Sequence, residues 1–242
     1  MLQKPLFLIL ICFMSINVIF SQESNTNRED LILFDNIVGL ENTNFFNGKR
    51  YYNLYKATTA NNNFFLSTDY VKGSLIYDNQ PFYNVDLKYD LTTDNLITKL
   101  NGNRSYINIE LIKDKVTSFH IGNHHFINIS ELIKDKTSDL GFLELSYTTP
   151  SFKFLIKRKK NVAKKINQKK IDFVFKDNDS FYVFYESELH HISSYKTLRK
   201  VFPNQAKDIN SFYKSNKKLL NKNEEQFLMD LFKYLEFKIN NK

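Results

Sequence analysis

Apolar and polar residues alternate in short segments along most of the chain, from Leu31 to about Ile192, and Asn, Asp and Gly separate the segments. In residues 83–90 the apolar positions share one parity: Tyr83, Val85, Leu87 and Tyr89. The polar positions share the other: Asn84, Asp86, Lys88 and Asp90. Because successive side chains of a strand point to opposite faces, this pattern predicts a strand with one buried and one solvated face. Asp86 and Asp90 are therefore predicted to be solvated.

Turn-forming residues on both sides of this strand predict a three-stranded meander. Asp78 and Asn79 precede the strand and residues 93–95 follow it, and both Asp and Asn tolerate the left-handed backbone of tight turns. The flanking strands are predicted at residues 73–77 and 96–100.

The same pattern predicts further strands at residues 107–111, 116–121, 125–129, 141–147, 152–158, 171–175 and 181–185. The last two flank the turn residues Asp177, Asn178 and Asp179, so they are predicted to pair as a hairpin. About nine or ten strands in all would suffice for a meander forming a sandwich or a curled, barrel-like sheet.

Helical periodicity begins only toward the C-terminus. Ser194 is predicted to cap a short helix, Pro203 to start a second, and residues 223–239 to form a third with one apolar face. These two to three amphipathic helices need an apolar surface to cover, and the nearest is a face of the sheet. The predicted fold class is therefore α+β and mainly antiparallel β. Residues 22–192 are predicted to form an antiparallel β body and residues 193–242 a helical segment that packs on it. The two parts are predicted to form one structural unit.

The first residues, MLQKPLFLILICFMSINVIFSQ, combine one lysine, an apolar run from Pro5 to Phe20 and small or polar residues after it. This arrangement is typical of a secretory signal peptide, predicted at residues 1–21. The protein is therefore predicted to be exported to the periplasm or the extracellular space. It could also associate peripherally with the outer membrane. No transmembrane segment is predicted in the mature chain. Cys12 is the only cysteine, so the mature chain is predicted to have neither disulfides nor thiol chemistry.

The charge balance points to anionic partners. The chain has 34 Lys and Arg against 26 Asp and Glu, a formal net charge of +8, although a low-GC genome would also enrich lysine. Eight basic residues fall within fourteen positions that contain no acidic residue: Lys157, Arg158, Lys159, Lys160, Lys164, Lys165, Lys169 and Lys170. We predict that this basic segment, residues 157–170, contacts an anionic envelope component or another envelope protein. Nucleic acid is not expected, since an exported chain rarely meets it. A solvated strand extension and loop is the alternative interpretation.

No motif specifies a catalytic or cofactor site. The five histidines include two adjacent pairs: His120, His124, His125, His190 and His191. Because neighbours in a strand point to opposite faces, no metal site is predicted. A nucleophile elbow and a Gly-rich phosphate loop are both missing from the sequence, and no cofactor is predicted.

The preferred functional interpretation is a non-enzymatic interaction or accessory module of the cell envelope. Two alternatives stay open. Folding can bring two carboxylates together, which would allow a hydrolase acting on envelope or extracellular polymers. An accessory factor of an outer-membrane transport or secretion system is the other.

Aromatic residues are abundant, with 23 Phe, 14 Tyr and no Trp. A carbohydrate-stacking platform is one use for them. Core and cross-strand packing is the preferred interpretation, because β-propensity alone accounts for Tyr and Phe in strands and Trp, the strongest stacking residue, is missing.

Three segments carry a resemblance: FFNGKRYY at residues 45–52, GSLIYDNQPFYNVDLKYD at residues 73–90 and KTLRKVFPNQAKDINSFYKSNK at residues 196–217. In this order they resemble uncharacterised secreted proteins of Bacteroidetes-type Gram-negative bacteria. The resemblance implies export, a β-rich body with a helical C-terminus and a place in the cell envelope. It carries over no functional residue.

Overall fold

The computed structural model describes residues 28–39, 42–43, 47–55, 58, 60–101, 106–133, 139–167 and 170–240. The predicted signal peptide, residues 1–21, lies outside the described residues. The described part is mostly an antiparallel sheet with helices at its C-terminal end, which confirms the predicted α+β class with a curled sheet.

Thirteen strands are described, in chain order β1 Lys49–Arg50, β2 Val71–Tyr77, β3 Gln80–Asp90, β4 Asn95–Asn101, β5 Tyr106–Glu110, β6 Val116–Ile121, β7 His124–Asn128, β8 Phe142–Thr148, β9 Phe152–Lys157, β10 Lys160–Asn167, β11 Lys170–Asp177, β12 Ser180–Tyr185 and β13 Glu188–His191. Eleven of them form one sheet in the order β1-β5-β4-β3-β2-β6-β7-β8-β9-β12-β13. The other two, β10 and β11, pair only with each other. Residues 160–167 of the basic segment therefore lie in a hairpin separate from the main sheet, whereas Lys157 is the last residue of β9 in that sheet.

The described helices are α1 Arg28–Val38, α2 Tyr195–Val201, α3 Ala206–Ser215, α4 Lys217–Lys222 and α5 Glu224–Asn240, with short 3₁₀ turns at Lys113–Lys115, Ile129–Glu131 and Pro203–Gln205. The predicted C-terminal helices are present, and α2 and α5 begin within one residue of the predicted starts. Pro203 opens a 3₁₀ turn three residues before α3, α4 was not predicted, and Ser194 stands at the N-cap of α2 without a side-chain capping hydrogen bond. Helix α1 was not predicted, because the alternation was taken to begin at Leu31. Glu29 and Asp30 lie in its first turn, where they stabilise the positive end of the helix dipole.

The predicted meander of β2, β3 and β4 is confirmed, and its turns have the backbone that the sequence indicates. Asp78 and Asn79 have φ angles of 53° and 64°, and Asp94 has a φ of 59°. These values lie in the left-handed region, where Asp and Asn occur more readily than other non-glycine residues.

A β-bulge in strand β3 changes which residues reach the core. Asn84 has a φ of 57°, and the register of β2 against β3 shifts between Gly73 and Leu75. The parity of the strand changes at this point, so Phe82, only 4% exposed, enters the core. Tyr83 stays partly exposed. The predicted buried face is therefore correct from residue 85 onward and wrong at Tyr83.

The inside of the curled sheet is an aromatic core. Phe119 and Phe126 stack with ring centroids 4.8 Å apart, and Tyr89 contacts them edge-on at 5.3 Å and 5.1 Å. Phe142 meets Phe119 edge-on at 5.1 Å. Each of these buried rings contributes roughly 1.5–3 kcal/mol through loss of apolar contact with water. For these residues the core-packing interpretation of the aromatic content is confirmed.

A second core lies between the C-terminal helices and the strands β9 and β12. Helix α5 buries one face there: Phe227, Leu228, Leu231, Phe232 and Leu235. Phe232 contacts Phe152 and Phe154 of β9 at ring-centroid distances of 5.3 Å and 4.7 Å. The helices thus cover one face of the sheet, as their amphipathic pattern indicates.

The predicted hairpin of residues 171–175 with 181–185 is wrong. Strand β12 pairs with β9, placing Phe181 opposite Ile156, and β11 pairs with β10. The basic residues after β9 form a strand of their own, and the chain returns along it as β11 before it rejoins the sheet. Asp177, Asn178 and Asp179 therefore connect two different sheets.

Candidate functional site

The structure divides the predicted contact residues of the basic segment into two groups. Three side chains point into the protein, those of Lys157, Arg158 and Lys160. Three others point outward, those of Lys159, Lys164 and Lys165. Lys170 begins β11, and Lys169 lies outside the described residues. Of the six whose side chains are described, only the outward group is placed to meet an external partner.

Arg158 is the centre of a partly buried ion-pair cluster. Its Nε donates to Glu144 Oε2 at 2.5 Å and Nη1 donates to Asp179 Oδ2 at 2.7 Å. Its two Nη groups reach both oxygens of Glu225, in the first turn of α5, at 2.6 Å and 2.7 Å. Burial acts to lower the pKa of Arg158, but Glu225, Glu144 and Asp179 outweigh it and raise the pKa. The guanidinium holds β8, the residues before β12 and helix α5 together.

Lys157 is held by a carboxylate in the β3–β4 turn. Its Nζ lies 2.6 Å from Asp94 Oδ1, and Asp94 also accepts the Tyr89 hydroxyl at 2.5 Å and Lys113 Nζ at 2.8 Å. Burial lowers the pKa of Lys157, and the negative charge of Asp94 opposes that effect. Gly141 leaves room for Asp94, because a Cβ there would lie 1.8 Å from Asp94 Oδ2.

Lys160 fixes the base of the hairpin. Its Nζ donates to the carbonyl oxygens of Asn62 and Phe64 at 3.0 Å and 2.8 Å, and its backbone N–H donates to Leu91 O at 3.1 Å. Burial lowers the pKa of Lys160. Like Lys157 and Arg158, this residue connects parts of the protein to each other.

The far end of the hairpin presents both charge and apolar surface. Lys164 and Lys165 are exposed there and have no ion pair in the part of the chain that the structure describes. Lys159, just before β10 at the base of the hairpin, is also exposed and makes no ion pair with a described residue. Ile166 and Ile171 face each other across β10 and β11 and are 71% and 48% exposed. The two isoleucines thus form an exposed apolar pair in the same hairpin as Lys164 and Lys165.

The base of the hairpin is packed against residues that follow β1. Tyr55 contacts the rings of Phe173 and Phe175 at 5.1 Å and 5.2 Å. The Asn61 side chain donates to Phe173 O at 2.7 Å and accepts from Phe175 N–H at 3.0 Å. The Asn61 amide thus bonds one backbone C=O and one backbone N–H at the outer edge of β11, which would otherwise be unpaired there.

A cleft of about 390 Å³ lies beside this contact, and the sequence did not predict it. Its walls come from strands β3, β4 and β5 and from the chain between β1 and β2: Tyr51, Asn53, Tyr55, Phe64, Thr68, Tyr70, Lys88, Ile97 and Asn108. Three tyrosines, one phenylalanine and one lysine dominate the lining, and no Asp or Glu among the described residues lines it.

Lys88 is the charged group of the cleft. Its Nζ lies 4.4 Å from the centroid of the Tyr70 ring and 5.1 Å from that of Phe64, within cation–π range. Burial lowers the pKa of Lys88, the charge of Asp69 opposes this effect, and Lys99 adds to it. The ammonium makes no hydrogen bond and no ion pair with any residue that the structure describes.

Asp90, beneath the cleft, is not solvated as predicted. It is 1% exposed, and it accepts hydrogen bonds from the Tyr51 hydroxyl at 2.8 Å and from Thr92 N–H and Oγ1 at 2.8 Å and 2.7 Å. The chain before β2 runs over this end of β3 and is attached to it by the hydrogen bond from Phe65 N–H to Tyr89 O. Burial raises the pKa of Tyr51, and the charge of Asp90 raises it further.

Asp86, the other predicted solvated residue of β3, keeps some contact with water. Its side chain is 19% exposed and pairs with Lys72 at 3.2 Å and Lys99 at 3.1 Å. The polar face of β3 therefore changes from an ion-paired surface at Asp86 to a covered wall at Lys88 and Asp90.

His120, His124 and His125 lie beside the β6–β7 turn, and His190 and His191 lie in β13. His120 and His125 stack with ring centroids 4.1 Å apart, and burial lowers the pKa of both. His124, on the opposite face, has its Nδ1 2.6 Å from Glu144 Oε1. Within the described ranges no three His, Cys, Asp or Glu residues are grouped so that they could hold a metal ion.

None of the described helices combines the length and the apolar character needed to cross a membrane. A scan against family models and searches of curated proteins and of solved structures found no match for this chain. The resemblance to secreted Bacteroidetes-type proteins therefore stays a prediction from the sequence.

Proposed function

We propose that this protein is an exported, non-enzymatic binding module that contacts an anionic surface of the cell envelope through the far end of the β10–β11 hairpin. The observation that carries the proposal is the exposed pair Ile166 and Ile171 beside Lys164 and Lys165. Export rests on the predicted signal peptide.

The two kinds of side chain suit a lipid or lipopolysaccharide surface. A lysine close to anionic head groups contributes about 1 kcal/mol of attraction, and this contribution decreases with distance over a Debye length. Isoleucine side chains that enter the head-group region add roughly 25 cal/mol for each Å² of apolar surface removed from water. Charge brings the hairpin to the surface, and the isoleucines hold it there.

The buried carboxylates favour binding over hydrolysis. A glycosidase needs two carboxylates facing one cleft. Asp90 and Asp94 accept hydrogen bonds from tyrosines, Glu144 is paired with Arg158, and none of the three lines the cleft. The hydrolase alternative therefore gains no support from the described residues.

Co-sedimentation with vesicles containing phosphatidylglycerol, and separately with purified lipopolysaccharide, tests the proposal. The variant replaces Lys159, Lys164 and Lys165 by Gln. We expect binding to decrease about tenfold or more at about 0.1 M salt, and wild-type binding to weaken as salt increases.

The matched control replaces three exposed lysines of the helical region, Lys214, Lys217 and Lys218, by Gln. It removes the same charge, so it should retain most of the binding if the hairpin is the contact surface. An equal decrease in both variants would show a general effect of net charge, and unchanged binding in the hairpin variant would exclude the hairpin; either result overturns the proposal.

A further inference from the structure

The ammonium of Lys88 lies in the cleft, where its contacts among the described residues are with aromatic rings. It is partly buried, it lies over the rings of Tyr70 and Phe64, and no described residue gives it a hydrogen bond or an ion pair. A partly desolvated charge without a partner is unfavourable, whereas a charge-assisted bond to an anion would compensate for the lost water. The nearby Lys99 is already paired with Asp86, so the cleft offers one available positive charge.

The cleft also offers side-chain amides, whereas the hydroxyls of Tyr51 and Tyr70 are already hydrogen-bonded to Asp90 and Asn108. Asn108 accepts the Tyr70 hydroxyl at Oδ1, 2.5 Å, and Asn53 accepts Tyr55 N–H at Oδ1, 3.1 Å. Both amides therefore have their Nδ2 groups available. The Thr68 hydroxyl also lines the cleft. Amide and hydroxyl groups at several positions suit a ligand that carries several hydroxyls.

The aromatic walls and the volume narrow the ligand class. Tyr51, Tyr55, Phe64 and Tyr70 present rings to the cleft, and the C–H face of a sugar ring is an apolar surface that stacks on such rings. A volume of about 390 Å³ lies near the small end of the range for ligand sites, roughly 300–1,000 Å³, and suits one or two sugar rings.

We infer that this cleft binds an acidic saccharide, with one carboxylate on Lys88, the sugar ring against the tyrosines and its hydroxyls near Asn53, Asn108 and Thr68. A single ammonium matches a sugar carboxylate of one negative charge. A phosphate would call for more cations or a fork of guanidinium donors, and the described lining of the cleft offers neither. This site is separate from the hairpin surface, so it goes beyond the function proposed above.

Calorimetric titration with digalacturonic acid, which carries two carboxylates, and with its uncharged dimethyl ester tests the inference. The two ligands have nearly the same shape, so the difference in their affinities reports the carboxylates. Wild-type protein should bind the acid at least about tenfold more tightly than the ester, as expected of a charge-assisted hydrogen bond. The wild-type protein alone is enough for this test. Equal affinities for the two ligands, or no binding of the acid at millimolar concentration, would overturn the inference.

The Lys88→Met variant locates the effect. It should weaken binding of the acid about tenfold or more and leave the ester unchanged, while Lys88→Arg should retain part of the preference. Lys153→Met is the matched control, since Lys153 also lies over an aromatic ring, Phe184 at 5.9 Å, but is not part of the cleft. Unchanged binding of the acid by Lys88→Met, or an equal loss in Lys153→Met, would contradict the assignment.

The two proposals fail independently. Replacing Lys159, Lys164 and Lys165 by Gln should leave digalacturonic acid binding intact, and Lys88→Met should leave vesicle binding intact. Loss of saccharide binding in the hairpin variant would mean that one anionic surface serves both ligands, and the cleft would then not be a separate site.

Discussion

The two groups of cations in the basic segment share a stretch of sequence but differ in their surroundings. Arg158 bonds to three carboxylates and its side chain is only 12% exposed, whereas Lys164 and Lys165 are exposed on the hairpin. A cation whose hydration is replaced by carboxylates stabilises the fold, and one that keeps its hydration remains available to a partner. A run of basic residues therefore does not by itself define a contact surface.

Replacing Arg158 by Met should have the largest effect on stability. The change leaves Glu144, Asp179 and Glu225 without their shared cation, and breaking a buried pair in this way costs about 3–5 kcal/mol. Urea unfolding measures the loss. Arg199→Met on α2, an exposed position, is the control and should change the free energy of unfolding by less than about 0.5 kcal/mol. Similar losses in the two variants would contradict the clamp assigned to Arg158.

Replacing Lys157 by Met should cost less. Asp94 loses one charge-assisted hydrogen bond but keeps Lys113 and the Tyr89 hydroxyl, so we expect a loss of about 1–3 kcal/mol in the same unfolding measurement. A loss below about 0.5 kcal/mol would place Lys157 with the outward group.

The stacked histidines show what happens to a titratable base that has no carboxylate partner among the residues that the structure describes. Burial lowers the pKa of His120 and His125 below 6.5, so the folded protein favours their neutral forms. As the pH falls through 6.5, the unfolded chain takes up protons that the folded protein resists, and the free energy of unfolding decreases. Above that pH both histidines are neutral in the folded and the unfolded protein, so they do not reduce the free energy of unfolding.

A double variant, His120→Asn with His125→Asn, should lose less stability than the wild type between about pH 7 and pH 5. Urea midpoints across this range measure the difference. A steeper decrease in the variant than in the wild type would reverse the assigned sign and contradict the neutral pair.

The smallest stability effect is expected on the hairpin. Replacing Lys164 and Lys165 by Gln should leave the free energy of unfolding within about 0.5 kcal/mol of the wild type, because neither side chain has a partner among the described residues. Vesicle binding should nevertheless weaken. Marked destabilisation would remove the contrast between the two groups.

The local elements of the fold could be predicted from the sequence because their signals are local. The alternation of apolar and polar residues predicts β6 at Val116–Ile121, and the turn residues predict the meander of β2, β3 and β4, as the structure has them. The partners of β11 and β12 could not be predicted, because alternation specifies a face but not a neighbour. The hairpin inserted between β9 and β12 changed both pairings.

The candidate sites could be predicted only in part for the same reason. The carboxylates that bind Arg158 lie 14, 21 and 67 positions away in the chain, so its inward direction has no local signal. Lys88 follows the alternation of a solvated strand face, and only the fold places Tyr51, Phe64 and Tyr70 beside it. The outward position of Lys164 and Lys165 agrees with the sequence prediction, whereas their anionic partner stays a prediction.

Site-resolved labelling of lysines with an amine-reactive reagent, read by mass spectrometry with and without phosphatidylglycerol vesicles, tests the division of the basic segment most directly. We expect Lys159, Lys164 and Lys165 to react rapidly in the free protein and to be protected by vesicles. Lys157 and Lys160 should react slowly in both cases, because their Nζ atoms are hydrogen-bonded inside the protein. Rapid labelling of Lys157, or labelling of Lys164 and Lys165 that vesicles leave unchanged, would contradict the account.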